Sequence, residues 1–315
     1  MNNFKKIGLT ALAGSLVATS VAFAGEMTAT GAAEMKMTNN SQSAAGKTVG
    51  MGNSVTFKGS GETDGGLNVN VSFEMDQGTE DPGPFDSHSV SIGNDNIGTL
   101  AVHGHGGSNS AAALDGTAAG DFWDNSLGLK KADKPQAAPS GNNLVVYSLP
   151  TIVDSLAIGV SYASDGENDA GSTAWGTTYT GIDGLSVSLG QSADNSTTTV
   201  NNDQTIMKAS YAYGSFTFAY SDNEMDHTTE TKDQEVKSMS LAYTISDNMS
   251  VTYGEETISK TGKSSDIEID GLTGSYTTGG MTIALTQIEA TNVDHSNATA
   301  FNDNEFWKVS LSFAF

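Results

Sequence analysis

Trp307-Lys308-Val309-Ser310-Leu311-Ser312-Phe313-Ala314-Phe315 ends the chain and sets its period. Large apolar residues take every odd position, and Lys, Ser or Ala takes every even one. Successive side chains of a strand point to opposite faces, so the segment reads as a strand with one greasy and one small polar side. The period recurs upstream. Leu67, Val69, Val71, Phe73 and Met75 alternate with Asn68, Asn70, Ser72, Glu74 and Asp76. Leu156, Ile158, Val160 and Tyr162 alternate with Ala157, Gly159, Ser161 and Ala163, and Met249, Val251 and Tyr253 with Ser250, Thr252 and Gly254. Apolar residues at helical spacing are missing beyond residue 24, so alternation is the governing signal.

The punctuation between strands has its own rhythm. Tight turns fall at Asp64-Gly65-Gly66, Asn94-Asp95-Asn96, Ile182-Asp183-Gly184, Gly214, Ser246-Asp247-Asn248 and Thr278-Gly279-Gly280, with a short link over Pro150 to Asp154. Gly and Asn tolerate the positive φ of such hairpins. Longer polar stretches lie between them, at 38–48, 77–85, 104–141, 164–171, 193–203, 224–234, 259–264 and 291–303. Alternating short turns and long loops is the habit of transmembrane antiparallel β-barrels, and counting segments gives about sixteen strands. Fourteen also fits, because 86–103 and 265–277 alternate irregularly. The fold class is therefore all-β, a membrane-spanning barrel.

One loop differs from the rest. Residues 104–141 form the longest unpatterned segment, third in order, with Phe122-Trp123, Pro135 and Pro139. Loops beyond about 12–15 residues are usually functional or disordered. An aromatic pair is of use to a loop folded into the lumen and not to a free external flap.

Ahead of the barrel, residues 1–24 read as a signal peptide. Lys5 and Lys6 precede an apolar stretch from Ile7 to Phe23, which ends in Ala22-Phe23-Ala24. The expected organisation is a removed leader, 1–24, and one barrel, 25–315. The chain has no cysteine, which rules out a disulfide framework and a Cys-linked lipid anchor. It carries 37 acidic residues against 14 basic ones. Without Lys5 and Lys6 the balance is twelve against 37, a formal −25. Every basic residue is Lys. Such a surface repels nucleic acid and attracts cations. The hydrophobic share of 37% is low for a globular core and suits a wall with one face in lipid and the other in water.

Sequence signals for other chemistry are weak. Gly46-Lys47-Thr48 lacks the upstream glycine of a phosphate-binding loop, since position 41 is Ser. His103 and His105, two apart, would share a strand face but lack a third metal ligand. Glu80, Asp81 and Asp86 could gather Ca²⁺ on acidic loops, although no loop has calcium-hand spacing. No nucleophile elbow or acid–base motif stands out, so an enzyme is not expected.

With its leader, its strand–loop rhythm, Ile97-Gly98-Thr99-Leu100 before a long third loop and the terminal Leu311-Ser312-Phe313-Ala314-Phe315, the chain resembles the general-diffusion porins of Gram-negative bacteria, the alphaproteobacterial kind in particular. The resemblance spans the whole length. It implies an outer-membrane homotrimer of sixteen-stranded barrels, each passing small hydrophilic solutes. It implies a C-terminal Phe315 read by the barrel-assembly machinery. It also implies an eyelet with acidic groups on the third loop, carried over by position to Asp115, Asp121 and Asp124, facing basic groups on the wall at Lys36, Lys58 and His103. The family's wall arginines have no counterpart here. Charge makes the expected channel cation-preferring. The alternatives are a substrate-specific outer-membrane channel and a secreted β-rich adhesin without a pore; the second lacks the short repeat of a solenoid.

Overall fold

The alternating segments become sixteen antiparallel strands closed into one barrel. The computed structural model describes residues 25–41, 46–76, 85–135, 141–164, 171–197, 200–295 and 303–315. The expected signal peptide 1–24, Pro139, Glu80 and Asp81 lie outside these residues. In chain order the strands are β1 (Glu26–Asn40), β2 (Thr48–Glu62), β3 (Asn68–Asp76), β4 (Ser87–Asn94), β5 (Gly98–His105), β6 (Leu144–Ser148), β7 (Leu156–Ser164) and β8 (Gly171–Ile182). They continue as β9 (Leu185–Thr197), β10 (Val200–Tyr213), β11 (Phe216–His227), β12 (Gln234–Ser246), β13 (Met249–Lys260), β14 (Ile267–Thr278), β15 (Met281–Thr291) and β16 (Asn304–Ala314). The count is sixteen and not fourteen: 86–103 and 265–277 hold real strands despite their irregular pattern.

Each strand pairs with its neighbours in sequence, and β1 pairs with β16. Closure leaves no open edge, which a lipid core demands because it offers bare N–H and C=O groups no partner. At the seam the Phe315 N–H donates to the Gly31 carbonyl at 2.9 Å, and the Gly31 N–H donates to the Phe315 carbonyl at 2.6 Å. The Phe315 ring lies over Gly31, where a Cβ would fall 2.3 Å from it.

Register decides which residues line the lumen. Lys58, Ser72, Ser89 and His103 form one cross-strand row over β2 to β5. The opposite phase puts Leu100, Val160, Phe218, Leu241 and Leu285 outward as exposed apolar side chains, where a membrane-spanning barrel meets lipid. A bulge between His88 and Ser89 breaks the register of β4 with β5. His103 stays in the inward row opposite Ser89, whereas His105 pairs with His88 on the other face. The shared face expected of the two histidines is lost to that one extra residue.

The inner wall is mostly polar, with a small apolar cluster at Ala174 and Ile206 and a larger apolar sector further round. Val236, Ile258, Ile267, Ile269, Ile288 and Phe306, on β12 to β16, are all buried, in a cluster with Phe122, Leu127 and Leu129. These last three belong to the third loop, so that loop is folded into the lumen and packed against this sector. Burying side chains of this kind is worth about 1.5–3 kcal/mol each.

Candidate pore constriction

The third loop joins β5 to β6, and a bridge between Gly107 and Gly141 ties its base. Asn109 starts the inward turn: its Oδ1 accepts the Ala111 and Ala112 N–H groups at 2.9 and 2.7 Å, and a single 3₁₀ turn follows at Ala112–Leu114. The loop then tracks the inner wall strand by strand. The Ser110 N–H donates to Ser161 Oγ on β7 at 2.9 Å. The Ala118 and Ala119 N–H groups donate to Ser221 Oγ on β11 and Ser238 Oγ on β12, at 2.8 and 2.9 Å. Wall glycines let the backbone come this close. A Cβ at Gly176 would sit 2.1 Å from the Ser110 carbonyl oxygen, and one at Gly254 would sit 2.6 Å from Ala119 Cβ.

Glu256 on β13 is the central anchor. Its side chain is 1% exposed. It accepts the Phe122 and Trp123 N–H groups at 3.0 and 2.9 Å and the Thr117 hydroxyl. Its inward position suggests a free pore charge, but the loop's own donors absorb it. Beyond the second 3₁₀ turn, Phe122–Asp124, the loop reaches β16 and β1: Asn304 and Asn40 donate side-chain N–H groups to the Leu127 and Ser126 carbonyls.

Among the six residues expected at the eyelet, the three aspartates all lie on this loop. Asp115 is half-buried, and its carboxyl is pushed up to about 6, first by burial and then by the Asp121 carboxylate, against the opposing pull of the Lys208 ammonium. Asp121 sits at φ 56° and turns inward on its own loop, accepting the Thr117 N–H at 2.9 Å and the Trp123 indole N–H at 3.3 Å. Asp124 pairs with Lys134 at 3.3 Å, and the same ammonium lies 5.8 Å from the Trp123 ring centre. Lys36 faces the lumen from β1 beside Glu34, at 3.6 Å. Lys58 and His103 occupy the inward row described above. The structure thus brings Asp115 and Asp121 together, and puts Lys58 and His103 on the sector of wall left bare by the loop.

Three lysines missing from that expectation stand beside loop acids. Lys208 on β10 donates to the Gly116 carbonyl at 2.5 Å, next to Asp115. Lys260 on β13 pairs with Asp133 at 3.3 Å, and Lys130 pairs with Asp294 at 2.9 Å. The inward phase of β10 and β13 marks Lys208 and Lys260 in the sequence; their partners follow only from the path of the loop. Opposite the loop, among the described residues, the inward faces of β1 to β3 carry Glu26, Glu34, Glu62, Glu74 and Asp76 against Lys36 and Lys58. No group of three or more His, Asp or Glu that could hold a metal occurs among the described residues.

Solved outer-membrane proteins share this architecture. OmpT of Vibrio cholerae lacking its eighth loop superposes with a TM-score of 0.72 at 14% identity, over 93% of this chain and all of that one. The anion-selective porin of Comamonas acidovorans gives 0.68 at 16% identity, over 92% and 100%. Salmonella typhi OmpF, in complex with daunomycin, gives 0.69 at 14% identity, over 92% and 97%. No curated protein matches the sequence. At these identities the structures establish the fold. The family comes from the sequence itself, which matches the Gram-negative porin family over residues 8–296: the chain belongs to the Gram-negative porins, outer-membrane channel proteins.

Proposed function

We propose that the barrel is a general-diffusion pore, water-filled and passive, that admits small hydrophilic solutes and prefers cations. Sixteen strands enclose a lumen too wide for side chains to fill. The third loop then sets the size limit. The observation that carries the preference is the wall opposite the loop, with Glu26, Glu34, Glu62, Glu74 and Asp76 against Lys36 and Lys58. The loop contributes less, since Lys134, Lys208 and Lys260 stand against its aspartates. A low-dielectric wall focuses the remaining field and concentrates cations.

The eyelet in this reading lies between Asp115, Asp121 and Asp124 on one side and Lys36, Lys58 and His103 on the other. Small outward residues on β1 and β2, such as Ala29, Ala33 and Gly59, support close packing of a homotrimer there. Phe315, at the seam, is the residue for the assembly machinery to read. A reversal potential across a KCl gradient at low salt tests the central point. A cation-selective potential that fades as salt rises is expected, because the Debye length shrinks from about 10 Å at 0.1 M to about 3 Å at 1 M. An anion-selective potential at low salt would overturn the preference.

A further inference from the structure

The inward faces of β6, β7 and β8 carry no charged side chain. Between the start of the third loop and the short-turn ends of β6, β7 and β8 lies a recess of about 490 Å³. Each of the other recesses described, on either face of the barrel, is lined by at least one carboxylate; this one has no charged residue in its lining. Its polar groups are hydroxyls, including those of Ser148, Thr151, Thr178 and Thr180, and the Asn109 amide. Leu114, Val146 and Ala157 supply apolar patches between them.

Ser110 roofs this recess and is 8% exposed. Its backbone N–H is pinned to Ser161, but its Oγ has no hydrogen-bond partner. Room is made by Gly159, where a Cβ would lie 3.2 Å from that Oγ. A buried hydroxyl without a partner is costly, and a ligand hydroxyl can relieve it.

We propose that this recess is a low-affinity subsite for neutral polyhydroxylated solutes, monosaccharides or polyols, on the short-turn side of the eyelet. The assignment rests on the porin reading and gives it a solute class. Its volume falls within the roughly 300–1,000 Å³ of small-molecule sites. Hydroxyls both donate and accept, so they match a sugar's hydroxyls in either sense, and the apolar patches match its C–H faces. An ionic solute would give up hydration here without meeting a counter-charge. Weak binding suits a channel, since the solute must also leave.

The test is a titration of D-glucose against the KCl current of single channels in planar bilayers. A saturable fall in current, with added current noise, is expected. The double variant Ser148→Ala, Thr178→Val should raise the half-saturating glucose concentration about 3- to 10-fold, as loss of one or two neutral hydrogen bonds implies. Ser91→Ala, on β4 in the lining of a different recess, should leave that concentration unchanged. A current that falls only in step with solution viscosity, or an unshifted half-saturation in the double variant, would overturn the subsite and leave the pore standing. A folded, heat-modifiable barrel that passes no KCl current would overturn the porin reading itself.

Discussion

Replacing Glu256 by Gln should loosen the third loop while leaving the barrel around it intact. The carboxylate accepts three hydrogen bonds from the loop: the Thr117 hydroxyl and Phe122 N–H on Oε1, and the Trp123 N–H on Oε2. Glutamine keeps one oxygen for the first pair and turns an NH₂ toward the Trp123 N–H. One bond to a charged acceptor is lost and a donor is left facing a donor, a cost of about 1.5–3 kcal/mol. At about 1.4 kcal/mol per tenfold, the unseated loop gains population by roughly 10- to 150-fold. Single-channel recordings should then show more frequent brief transitions and noisier open states than the wild type. Glu256→Ala, which removes all three bonds, should show more still. Glu255 is the control. It points outward from the same strand, where it accepts the Tyr253 hydroxyl at 2.9 Å, so Glu255→Gln should leave the traces unchanged. Wild-type traces from both Glu256 variants would refute the anchoring role.

Asp115 should make selectivity depend on pH. Its carboxyl is raised from the usual 3.8 to about 6, so the stability it lends to the seated loop is fully present below 3.8 and lost as pH rises through about 6. A negative charge appears on the loop over the same window, so cation preference should climb between about pH 5 and 7; Asp115→Asn should flatten that climb in reversal potentials. Deleting residues 110–138 should raise single-channel conductance, and it should lower the melting temperature because Ile258, Ile269 and Ile288 lose the cover of Phe122 and Leu127. Unchanged conductance would put the loop outside the current path. Deleting Phe315 should reduce the outer-membrane yield, and so should Gly31→Val, whose side chain would collide with the Phe315 ring; normal insertion of both would count against the seam as a determinant of assembly.

Strand phase was legible in the sequence because lipid outside and water inside impose opposite demands on adjacent residues. Met249-Ser250-Val251-Thr252-Tyr253 can be assigned to faces by eye, and it lies at the start of β13 as read. Irregular stretches were harder, for two different reasons. In β4 and β5 a bulge opposite His88 shifts the phase by one residue, and nothing in the residue types announces it. In β14 the period holds but its polarity inverts: Ile267 and Ile269 point inward and are buried, while Glu268 and Asp270 point out. Alternation gives the spacing of the two faces without saying which of them is wet.

That inversion also explains which parts of the site stayed hidden. Inward isoleucines make no sense against water, and they do once Phe122, Leu127 and Leu129 cover them. The apolar inner residues of β12 to β16 are thus the wall's half of a docking surface whose other half is far away in sequence. Glu255 and Glu256 are adjacent acids in one strand, alike in composition and alternation, yet one accepts a tyrosine hydroxyl on the outer face and the other holds the loop from a position 1% exposed. Position in the strand gives their faces, but the role of Glu256 depends on three loop donors more than 130 residues away, at Thr117, Phe122 and Trp123. The same holds for Lys208 and Lys260, whose partners Gly116 and Asp133 arrive with the loop. Strand pairing is local and repetitive, so sequence carries it. The path of a loop across a lumen is a single long-range choice, made by donors and acceptors that only the closed barrel brings together.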